Sequence, residues 1–116
     1  MKSIETLSYE TFKGQRIFSI ELYDDSTNSS TIIELPAGKW DRATIINLLV
    51  RSQYSQDQVE AIINNHFLNI AEWLDKKFAG SEESFDDPDY DELQNWRKEC
   101  KTLADTIIDR INKINA

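Results

Sequence analysis

The chain has 116 residues, a formal net charge of −8, 40% hydrophobic residues and one cysteine, which suits one domain with enough apolar side chains for a core and excludes global disorder. No apolar run approaches the ~18 residues that span a bilayer, the first residues lack the apolar core of a signal peptide, and the lone Cys100 cannot form an internal disulfide. These features predict a soluble, cytoplasmic protein, and the lack of any internal repeat sets solenoid and fibrous classes aside.

In chain order, Ile4 to Phe12 is open to two readings: Ile4, Thr6 and Tyr9 suit a strand, whereas Ile4, Leu7 and Ser8 suit a helical turn. We read it as a strand. From Gln15 to Tyr23 the side chains alternate, with Phe18, Ile20 and Leu22 on one face and Ser19 and Glu21 on the other, the period of a half-buried strand. The polar run Asp24 to Ser30 breaks the pattern, Thr31 to Leu35 resumes it, and Pro36 and Gly38 stop it, which predicts a hairpin.

After Gly38 the period changes to about 3.6, predicting helices over 40–53 and 55–79 and a third from Pro88 onward. The apolar residues of the first, Leu48 among them, wrap more than half its circumference, so it should be covered on more than one side. The second starts at a capping box, Ser55 with Gln58, and stops at Gly80, with Val59, Ile62, Ile63, Phe67, Ile70, Trp73 and Leu74 on one stripe. In the third, Leu93, Trp96, Cys100, Leu103, Ile107, Ile111 and Ile114 form a narrow seam for a single neighbour. The fold class is therefore α+β: a β-rich part over 1–38, with two or three strands, packs against a helical part over 39–116. Trp40, Trp73 and Trp96 are expected to anchor one shared core.

Seven of the eleven residues from Glu82 to Glu92 are carboxylates, and the rest of the chain is nearly neutral. Residues 81–88 read as an acidic linker, and Pro88 with its acidic neighbours suits a helix N-terminus. Asp87, Asp89 and Asp91 alternate as in the opening of a calcium loop, but Glu92 and Lys98 stand where an EF-hand needs Gly and Glu, so no metal site is predicted. His66, the only histidine, falls within the second helix's stripe, and Glu60 and Glu72 point to other faces, which favours a packing role over catalysis. Cys100 lies mid-seam, where a thiol is inert. With three glycines, and with no Cys-x-x-Cys, His-Glu-x-x-His, Gly-x-Ser-x-Gly or P-loop pattern, neither an enzyme nor a cofactor is predicted.

Protein association remains, with another protein or with a second copy of the chain, through the first helix, the sheet edge and the acidic segment. The expected contacts are Tyr54 in the turn, Leu68 opposite the second helix's stripe, Leu48, and the carboxylates Asp86, Asp87, Asp89 and Asp91. One alternative is a nucleic-acid-linked regulator using 40–53 and 55–79 as a helix-turn-helix-like pair, although basic and acidic residues balance there and Asp57 and Glu60 occupy the first turn. Another is an acidic inhibitor that mimics nucleic acid through 82–92. The stretches YSQDQVEAIINNHFL (54–68) and QNWRKECKTLA (94–104) resemble segments of small uncharacterised proteins of bacterial genomes, their phages and mobile elements. That resemblance implies a cytoplasmic accessory or host-interaction role and assigns no site residue.

Overall fold

A computed structural model describes residues 2–115, in which three strands, β1 (Lys2–Phe12), β2 (Gln15–Asp24) and β3 (Ser29–Glu34), precede three helices, α1 (Arg42–Arg51), α2 (Gln56–Phe78) and α3 (Pro88–Asn115). The sheet is antiparallel in the order β1-β2-β3. Its first turn is the two-residue loop Lys13–Gly14, with both residues at positive φ (50° and 77°). That backbone matches the twist of the strands it joins and favours glycine at the second position.

The mixed periodicity of β1 has a local cause. Ile4 pairs with Leu22 and Thr6 with Glu21, leaving Glu5 without a partner in a bulge. The extra residue re-phases the strand, so Ile4, Leu7 and Tyr9 all stand on the inner face opposite Leu22, Ile20 and Phe18.

Helix boundaries follow side-chain caps. Asp41 accepts from Thr44 N at 3.1 Å and starts α1, so Trp40 lies outside the helix and meets Phe18 edge-on, with ring centroids 5.4 Å apart. The Ser55–Gln58 capping box starts α2. Gly80 at φ 97° ends it, with Ser81 N returning to Lys76 O and Gly80 N to Lys77 O, a closure that needs the left-handed backbone glycine adopts without strain.

The core lies between the inner face of the sheet (Phe18, Ile20, Leu22, Ile33, Leu35), α1 (Ile45, Leu49) and α3 (Trp96, Cys100, Ala104, Ile107, Ile111). Lys2 ties β1 to α3: its backbone N donates to Glu99 Oε1 at 3.1 Å, and its ammonium sits 4.4 Å from the Trp96 ring centroid. One expectation is corrected. The three helical stripes do not meet in one core, because α2 adds only Val59 to the buried residues and packs along α3. Trp73 stands outside the core cluster.

The molecule is elongated, 63 × 28 × 22 Å with a radius of gyration of 18.6 Å, against the ~13 Å expected of a compact chain this long. Among the described residues no helix is long and apolar enough to cross a membrane.

Candidate functional site

The segment 79–87 folds back along α2 and is fastened at both ends. At the far end Trp73 Nε1 donates to Glu83 O at 2.8 Å, and Phe85 packs edge-on to Trp73 and to His66. At the near end Asp87 is 7% exposed. Its carboxylate meets His66 Nδ1 at 2.9 Å, Asn69 Nδ2 at 3.2 Å and Tyr90 N at 3.3 Å, so one side chain caps α3 and joins it to α2. The His66 hydrogen bond, the largest cause, together with those from Asn69 and Tyr90, holds the Asp87 carboxyl below its ordinary range.

This His–Asp pair is a clamp. Tyr90 lies flat on the imidazole, 3.5 Å between centroids and 6° between planes, and Phe85 closes a second side at 5.6 Å. Among the described residues no hydroxyl or thiol nucleophile hydrogen-bonds to His66. Nor does any group of three His, Cys, Asp or Glu side chains among the described residues converge as a metal would need.

The other flank of α2 is bare. Phe67 is 65% exposed, Leu74 40% and Phe78 88%; with Ile63 and Ala71 they form a row at spacings of four, four, three and four along one helix face. At its lower end the row enters a groove of about 670 Å³ between α1, α2 and α3. The groove is floored by Ile46, Val50, Val59 and Ile63 and rimmed by Arg51, Arg97, Lys98 and Lys101, with Glu60 the only carboxylate in its lining.

The residues expected to make contacts are scattered. Leu68 is exposed, as its position opposite the stripe required, but it stands alone. Tyr54 and Leu48 are half-buried against the core, which corrects the expectation of an exposed tyrosine, and burial raises the Tyr54 phenol pKa. Asp86, Asp89 and Asp91 face solvent, whereas Asp87 is removed from the contact surface by its three partners. The row was missed because Phe67 and Leu74 sit on the apolar stripe, which was read as core throughout. The cationic rim was missed because its residues come from two helices, Arg51 from α1 and the other three from α3. Helices α1 and α2 each pack against α3.

Comparison of the chain with protein-family models, curated proteins and solved structures finds no match.

Proposed function

We propose that this is a small, non-enzymatic, cytoplasmic accessory protein that acts by binding another protein, with the open flank of α2 as its contact surface. The observation that carries this reading is the row Phe67, Leu74 and Phe78, large apolar side chains exposed together on a helix held away from the core. Burying one such side chain at an interface is worth ~1.5–3 kcal/mol, and clustered aromatic anchors are what binding hot spots are made of. The row's position also supports it: among the described residues the acidic segment's bonds and ring contacts to α2 go to His66, Asn69 and Trp73 and to none of the row.

The test is affinity capture of the tagged full chain from lysate of its source cell, with and without nuclease, beside the double variant Phe67→Ser/Phe78→Ser. A protein partner that survives nuclease and is lost with the variant, while circular dichroism stays unchanged, is the expected result. Retention of the same partner by the variant would refute the surface, and capture that depends on nucleic acid would favour the regulator reading.

A further inference from the structure

Resting on that reading, we infer that the partner presents an acidic amphipathic helix, which lies along the α2 row with its carboxylates in the groove between α1, α2 and α3. In a chain with 21 acidic and 13 basic side chains, a cluster of like cations stands out. Arg51, Arg97, Lys98 and Lys101 converge on one groove whose lining holds a single carboxylate, Glu60, and none of the four makes an ion pair or side-chain hydrogen bond among the described residues. Their charges are set above an apolar floor, where an incoming carboxylate is partly screened from water and each pair is stronger than on an open surface.

The geometry fits a helix. Ile63 to Phe78 spans ~22 Å at 1.5 Å per residue, so a ligand helix of about 16 residues covers the row and reaches the cations at its lower end. Apolar side chains at every third or fourth position would meet Ile63, Phe67, Leu74 and Phe78, with carboxylates on the neighbouring flank. A nucleic-acid strand matches less of this surface, since its phosphates have no use for the apolar row and would meet Glu60 and a protein of net charge −8. The acidic segment of a second copy fits poorly too. Its aromatic residues are already engaged, Phe85 on Trp73 and His66 and Tyr90 on His66, which leaves carboxylates without an apolar face.

The test titrates the isotopically labelled full chain with three synthetic helices of about 16 residues, alike in their Leu and Phe positions and carrying Glu, Gln or Lys on the flank. Saturable shifts at Ile63, Phe67, Arg97 and Lys98 with the Glu peptide are expected, with affinity falling about tenfold with Gln and further with Lys. The variant Lys98→Glu/Lys101→Glu, both exposed positions, should lose the Glu peptide and gain the Lys peptide, a swap that mere loss of structure would not give. Equal binding of the Glu and Gln peptides, absence of saturable shifts with any of the three, or a short DNA duplex that competes for the same resonances would each overturn the inference. In lysate, a partner lost with Phe67→Ser/Phe78→Ser but kept by Lys98→Glu/Lys101→Glu would overturn it while leaving the association reading intact.

Discussion

Asp87 links pH to stability through a sign that its contacts fix. Its folded-state pKa lies below the ordinary value of 3.8, chiefly because His66 hydrogen-bonds the carboxylate. A carboxyl so depressed stabilises the fold in full above the unfolded value, and that contribution is lost as pH falls through the folded value. Urea unfolding between about pH 5 and 2 should show stability falling below ~3.8, with a shallower slope in Asp87→Asn. Asp87→Ala removes the α3 cap and both α2 bonds together and should lower the Tm by several degrees. Cys100 behaves oppositely: burial, the largest cause, pushes its thiol up to about 12. A thiol reagent at pH 8 should therefore leave native Cys100 unmodified and label it only after unfolding; prompt labelling of the native protein would contradict the packing. Cys100 was legible from its place in an apolar seam, and so was Leu68. Asp87 was not, because its partners His66 and Asn69 lie 21 and 18 residues away and only the fold brings them together.

At the scale of elements, period and cap chemistry were enough to place a hairpin and three helices, and left residues 4–12 open between a third strand and a helical turn. The Ser55 capping box and Gly80 bound α2 as read, and β1 was ambiguous only because one bulged residue mixes two periods. Deleting Glu5 should return β1 to a strict alternation of two and turn either Ile4 or Leu7 away from the core, with loss of stability by thermal melting. What periodicity could not reveal is whether an apolar stripe is covered, since that depends on which neighbour arrives. The stripes of α3 and α2 look alike in sequence, yet Ile107 is fully buried and Phe78 88% exposed. Ile107→Ala should thus cost ~2–5 kcal/mol in chemical denaturation, whereas Phe78→Ala should stay within about 0.5 kcal/mol of the parent. A large loss from Phe78→Ala would mean that the α2 flank is covered in the isolated protein.

The whole molecule divides unevenly around α3. Its C-terminal two-thirds completes the core with the sheet and α1, and its first turns carry α2 and the clamp. Amide hydrogen exchange should follow this division, slowest around Cys100 to Ile107 and fastest in α2 beyond Phe67, where one flank is bare. The tie between Lys2 and Glu99, with the burial of Phe18, Ile20 and Leu22 against Trp96 to Ile111, also orders events during synthesis. The inner face of the sheet leaves the ribosome roughly 75 residues ahead of the helix that covers it, an interval of about 4–15 s at ~5–20 residues per second. For that interval the nascent chain carries an apolar hairpin with open edges, the kind of surface that chaperones bind and that aggregates form on. Translation stalled before α3 would therefore leave the inner face of the sheet without the helix that covers it, and the core closes only once α3 has been made.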